Sequence, residues 1–189
     1  EVEQQAADLL AAGAGGVDLA SGYLNNCIIL GNEVLGVAMG DAPTVRMANC
    51  LVTGNGAGVD GNGVVVNCTV VGNTETDLVA NLVYNTIVDG GIEATEILYC
   101  LAGVPIPGNG NIVGDPGFYD AENGDYRLLS LSPARDAGNN YYNTMPTDLA
   151  GQPRVFNIID MGAYERPPAQ GLAVSLSAQP DRLPAGAVL

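Results

Sequence analysis

The ten residues 64–73, VVVNCTVVGN, recur along the chain, and that recurrence limits what the chain can fold into. Residues 25–32 read NNCIILGN, 48–55 read ANCLVTGN and 83–90 read VYNTIVDG, and a fading copy, LYCLAG, begins at Leu98. The shared skeleton is apolar–x–Asn–Cys–x–Val/Ile–x–Gly–Asn. Aligned on the cysteine, the copies sit at Cys27, Cys50, Cys68, Asn85 and Cys100, with spacings of 23, 18, 17 and 15. An irregular period of roughly 20 residues marks a solenoid, in which each copy is one turn that cannot bury its apolar face alone.

The turns are made of strands. Short β-branched runs such as Val64-Val65-Val66 and Thr69-Val70-Val71 are punctuated by Gly and Asn, and helical spacing is absent. Positions 0 and +2 from the cysteine (Cys27/Ile29, Cys50/Val52, Cys68/Val70, Cys100/Ala102) share one face of a strand. Position −3 is apolar throughout: Leu24, Met47, Val65, Leu82 and Ile97. A gap of three between inward residues breaks the period of two, so the chain must bend just before the cysteine. Asn26, Asn49 and Asn67 stand there, and Asn tolerates the left-handed conformation such a bend needs. Gly31-Asn32, Gly54-Asn55 and Gly72-Asn73 supply a second corner, and a third short strand starts near Gly16, Gly36, Gly58 and Gly91. The expected fold is all-β, a right-handed parallel β-helix of about five turns. It has a cysteine ladder inside and Asn ladders at its corners.

The remaining segments are read as accessories. Residues 1–12 place Val2, Ala6, Leu9 and Leu10 on one helical stripe ended by Gly13, which predicts a short capping helix over the open strand edges. Turns are expected over 13–103, an irregular C-terminal cap over 104–166, and a linker with an orphan strand over 167–189. In that last piece LAVSLSA, residues 172–178, alternates like one strand. It is either the opening of an immunoglobulin-like domain or a strand donated to a sheet edge. Four cysteines fit buried thiols in a ladder or a disulfide; parallel side chains in a stack are poorly placed to bridge. The chain has no His, which excludes a Cys/His nucleophile pair and a Cys/His zinc site.

In the cap, DPGF at 115–118, NGDYRL at 123–128, SPARDAG at 132–138, TDLAGQPR at 147–154 and IDMGAYE at 159–165 follow one another in order. This series resembles the C-terminal end of bacterial surface β-helix proteins of the choice-of-anchor Q type, whose members share DPxF…GDYxL…SPAxDAG…DxxGxPR…IDxGAxE. The NCTxxGN copies also look like the repeats of that family and of polymorphic outer-membrane proteins. The resemblance implies a secreted or cell-surface parallel β-helix and brings no catalytic assignment.

Twenty-one acidic residues against six Lys and Arg give a net charge of −15, which argues against nucleic acid and anionic membrane surfaces as partners. No run approaches the ~20 apolar residues of a membrane span. The acids of the turns are scattered, apart from Asp60, Asp77 and Glu93, which fall near one corner and are read as a stripe. No catalytic residue is assigned, and an enzyme is not expected. No cofactor is expected; calcium is the one candidate, at Asp120, Glu122 and Asp125, a segment that a tight turn explains as well. Arg127, Arg135 and Arg154 stand among Asp125, Asp136, Asp148, Asp160 and Glu165, which predicts ion pairs tying the cap loops together. The expectation is a non-catalytic extracellular structural or adhesive module, a homo-oligomer or filament. Assembly would run through Leu172, Val174 and Leu176. Glycan binding or polysaccharide cleavage on the β-helix side, with Tyr23, Tyr84, Tyr99, Tyr141 and Tyr142 as candidate platforms, is the alternative.

Overall fold

The computed structural model of the chain describes residues 15–42 and 44–168, and the backbone of 3–5. It is a parallel β-solenoid of five turns with three strands per turn. The first face carries Val17–Leu19, Leu35–Met39, Ala57–Gly61 and the leading halves of Thr76–Tyr84 and Gly91–Leu98. The second carries Tyr23–Asn25, Arg46–Ala48, Val64–Val66 and the trailing halves of the same two long strands. The third is a separate six-stranded sheet, Ile28–Leu30, Leu51–Thr53, Thr69–Val71, Ile87–Val88, Leu101–Ala102 and Ile112–Val113. Its last strand extends the solenoid beyond the expected end at residue 103.

The bend before each cysteine is where expected. Asn26, Asn49 and Asn67 have φ of 54°, 53° and 53°. The fourth turn corrects the sequence alignment. Ile87 pairs with Thr69, so Asn85, at φ 50°, is the bend residue, and Thr86 takes the cysteine's place (68 + 18 = 86). Val83, not Leu82, is then the inward residue of that turn, in register with Val65 and Ile97. The exchange of Cys for Thr has a physical basis. The carbonyl two residues before the ladder position accepts an amide of the preceding turn, as Val66 does from Asn49 and Tyr84 from Asn67, and keeps a second lone pair. The thiols of Cys27, Cys50, Cys68 and Cys100 donate to the carbonyls of Asn25, Ala48, Val66 and Leu98 at 3.2–3.3 Å, and the Thr86 hydroxyl donates to Tyr84 at 2.9 Å. All four cysteines are buried and free, which settles the disulfide question. Burial pushes the Cys100 thiol up to about 12, the signature of an inert thiol.

Leu24, Met47, Val65, Val83 and Ile97 face Ile29, Val52 and Val70 across the interior and form the core. The second corner holds an amide ladder. Asn32 Nδ2 donates to Asn55 Oδ1 at 2.8 Å, Asn55 to Asn73 at 3.0 Å, and Asn73 to Asp77 Oδ1 at 2.6 Å. The first three turns stack Gly16, Gly36 and Gly58 beside this ladder; a Cβ on Gly58 would lie 2.2 Å from the Asp77 carbonyl oxygen. The fourth turn replaces the glycine with Asp77, whose carboxylate closes the ladder and also accepts from the Gly90 amide. Asp77 is therefore buried, and the expected acidic stripe does not include it. On the outer surface Asp18, Asp60 and Glu93 alternate with Ala38 and Val79, so no two acids meet in neighbouring turns.

Two further expectations are corrected or set aside. Glu3–Gln5 is a strand, paired in parallel with Tyr23–Asn25, and not part of a capping helix. An open strand edge presents peptide groups that an extended segment satisfies directly, and that requirement outweighs an amphipathic pattern. The orphan strand over 172–178 lies outside the described residues, as do residues 1–2 and 6–14.

Burial and the adjacent Asp89 push the Asp77 carboxyl up to about 6. A carboxyl raised on folding binds more protons in the folded state, so stability is greatest below its ordinary value of 3.8 and is lost as pH rises through about 6. Asp89→Asn removes the neighbouring charge. It should raise stability at pH 7 by about 1 kcal/mol and leave it unchanged near pH 3, so that thermal midpoints across pH 3–7 fall less steeply than in the parent.

Candidate functional site

Three of the corner asparagines have a second task, because a segment of the cap lies directly along their column. Asn85 Nδ2 donates to the Asn139 carbonyl at 3.0 Å, Asn67 to Asn143 Oδ1 at 2.9 Å, and Asn49 to the Thr147 carbonyl at 2.6 Å. Each step of 18 residues in the solenoid (85 to 67 to 49) matches a step of four in the cap (139 to 143 to 147). The segment is held compact by the 3₁₀ turn Asn140–Tyr142 and by the Asn143 side chain, which accepts from the Met145 amide. Asn67 opens an Asn-Cys-Thr tripeptide of the kind that can accept an N-glycan, and in the folded chain it is wholly buried.

Inboard of this strap the cap covers the third sheet. Val71, Ile87 and Leu101 point outward from that sheet and pack against Leu128, Ala134 and Met161 as a second core. Thr69 Oγ1 accepts from the Ala163 amide, and the Asn85 carbonyl accepts from the Gly162 amide. The third strands are thus buried on both faces, and for that reason their sequences run apolar without alternation.

The cap is organised on Arg154, which is 0% exposed. It donates to the carbonyls of Asp160 and Gly162, and its Nη1 lies 3.5 Å from Glu165 Oε2. Asp148 and Asp160 are buried with it. The three carboxyls are used as loop fasteners: Asp148 accepts from the Gln152 and Glu165 amides, Asp160 from the Asp136 and Arg166 amides, and Glu165 from the Asp160 amide. Three buried acids against one guanidinium cannot all ionise cheaply. Burial pushes Glu165 up to about 8, against the opposing pull of Arg154. The expected pairings divide accordingly: Arg154 meets Glu165 in the interior, a contact that becomes an ion pair only as Glu165 ionises near pH 8, whereas Arg127–Asp125 and Arg135–Asp136 lie at the surface. A cleft of about 470 Å³ opens beside the cluster.

The calcium candidates are separated by their bonding. Asp120 accepts from the Asn123 amide side chain at the start of the 3₁₀ turn Ala121–Asn123. Glu122 is exposed, and Asp125 is engaged by Arg127. Among the described residues no group of three His, Cys, Asp or Glu side chains is placed to hold a metal ion. Of the tyrosines, Tyr84 stacks on Tyr142 with ring centroids 4.0 Å apart and donates to Glu96, and Tyr99 tilts against the same Tyr142 ring. These rings fill the corner under the strap. Tyr142, a candidate named with them, comes from the cap and completes the cluster. Among the described residues no helix is long and apolar enough to cross a membrane. Comparisons with protein-family profiles, curated proteins and solved structures found no match.

Asn67→Ala should destabilise the protein by about 2–4 kcal/mol, combining left-handed strain with the loss of two buried hydrogen bonds, and Asn67→Gly should recover only the backbone share, about 1 kcal/mol. Chemical denaturation of both variants measures the split. Arg154→Met leaves three buried carboxyls without their cation, at an expected cost of about 3–5 kcal/mol. Limited proteolysis should then cut between residues 115 and 166 before it cuts the turns.

Proposed function

We propose that this chain is a non-catalytic structural or adhesive module of the extracellular space or of a bacterial cell surface, and that copies assemble into a fibre or layer through the strand at 172–178. One observation supports the reading above others. Gly91–Leu98 pairs on one side with Thr76–Tyr84, and among the described residues its leading half has no partner on the other side. Ile92 and Ala94 sit on that open end, half-buried against the core. A parallel strand of alternating pattern meets both needs there: it satisfies the free peptide groups and covers the two apolar side chains. Leu172, Val174 and Leu176 share one face of such a strand. The use of Tyr84 and Tyr99 inside the corner, and not as an open platform beside a groove, weighs for assembly over sugar binding on the solenoid side.

Imaging and light scattering test the reading on the full chain, on a chain ended after Pro168, and on the full chain with Leu176→Asp. The stop is set after Pro168 because Glu165 and the Arg166 amide are fastened into the cap. Fibres from the full chain and monomers from the other two are expected. Monomers from all three would reject assembly through this strand.

A further inference from the structure

The cleft beside the Arg154 cluster is lined by Tyr119, Tyr164, Gln152, Arg166, Asp148 and Glu165, with Arg127 at its rim. Most of its charges are already committed. Arg127 is paired with Asp125 and lies over the Tyr119 ring, 5.6 Å from its centroid. Both oxygens of Asp148 accept backbone amides. Two groups are left with capacity. Arg166 donates from Nη1 to the Leu128 carbonyl and has no carboxylate within ion-pair reach among the described residues. Glu165 is more than nine-tenths buried and, among the described residues, accepts at Oε2 alone. Tyr119 is 63% exposed, so its ring stands open at the mouth.

We propose that this cleft binds an acidic saccharide, with the sugar carboxylate on Arg166 and Glu165 and the ring against Tyr119. A planar guanidinium matches a carboxylate in two parallel hydrogen bonds, which a neutral hydroxyl cannot reproduce. Burial keeps Glu165 protonated to about 8, so at neutral pH it offers the carboxylate an O–H donor and no opposing charge. The Gln152 amide supplies a donor and an acceptor to ring hydroxyls. The amphipathic tyrosine ring suits the apolar face of a pyranose. A volume of about 470 Å³ lies in the range of small-ligand sites, about 300–1,000 Å³. A divalent cation is disfavoured, because Arg166 would face it.

Amide NMR shifts of the full chain, titrated at neutral pH, provide the test. The probes are methyl β-D-glucuronide, methyl β-D-glucoside (the same ring without the carboxylate) and acetate (the carboxylate without the ring). The glucuronide should shift the amides of Gln152, Tyr164 and Glu165 and bind at least about tenfold more tightly than either control. Arg166→Gln should abolish that preference, and Tyr119→Ala, a change at an exposed ring, should weaken the glucuronide and the glucoside and leave acetate unchanged. Equal binding of glucuronide and acetate would reduce the cleft to a simple anion site and overturn the proposal. Equal binding of glucuronide and glucoside, or no shifts at the cleft residues, would overturn it as well.

Discussion

A single backbone event underlies this structure: the left-handed step at one residue in each turn. That step breaks the alternation of the strand and lets the chain turn from the second face to the third. The carbonyl two residues before the ladder position accepts the bend residue's amide from the preceding turn, Asn49 to Val66 and Asn67 to Tyr84 for example, and keeps a second lone pair for the interior. The residue that turns and the residue that follows it act together. Asn accepts the unusual φ, and the next side chain donates to that second lone pair. The Asn–Cys pair is therefore one device, and the core, the corners and the cap are all built outward from it.

The device explains what was legible in the sequence and where the reading slipped. Three strands per turn, the bends at Asn26, Asn49 and Asn67, and the inward sets around Ile29, Val52 and Val70 follow from local pattern alone. The fourth turn slipped by one residue because alignment on the cysteine rewards chemical identity, whereas the fold asks for a donor at that place. Thr86 meets the demand with a hydroxyl and carries no sequence likeness to a thiol. Asp77 was misplaced for a related reason. Its neighbours in sequence suggest a surface corner, yet it occupies a glycine column and serves as the last acceptor of an amide ladder.

The cap was legible as a cap and not as a partner. Its docking relies on carbonyls at residues 139 and 147 and on one side-chain amide at 143, contacts that span 54 to 98 residues in sequence. Backbone carbonyls have no residue identity, so no motif could announce them. The acid-rich composition also obscured the arrangement. Four of the six arginines fall between residues 127 and 166, and one of them is wholly buried where it draws three carboxyls inward. At the other end, three residues of extended chain replaced an expected helix, because a sheet edge fixes backbone conformation more strongly than a stripe of four apolar side chains.

The strap at 139–147 gives the solenoid a fixed length. Open-ended repeat proteins gain or lose turns by duplication or deletion, since each new turn contacts only its neighbours. Here the corner asparagines are counted by the cap, one per four residues. Duplicating an 18-residue turn between Asn49 and Asn85 would part these asparagines from their cap partners by one step, unless four residues entered the strap in the same event. Growth of the molecule by turn duplication is thereby coupled between two distant stretches of the chain. Drift within a turn, such as Cys to Thr, remains free.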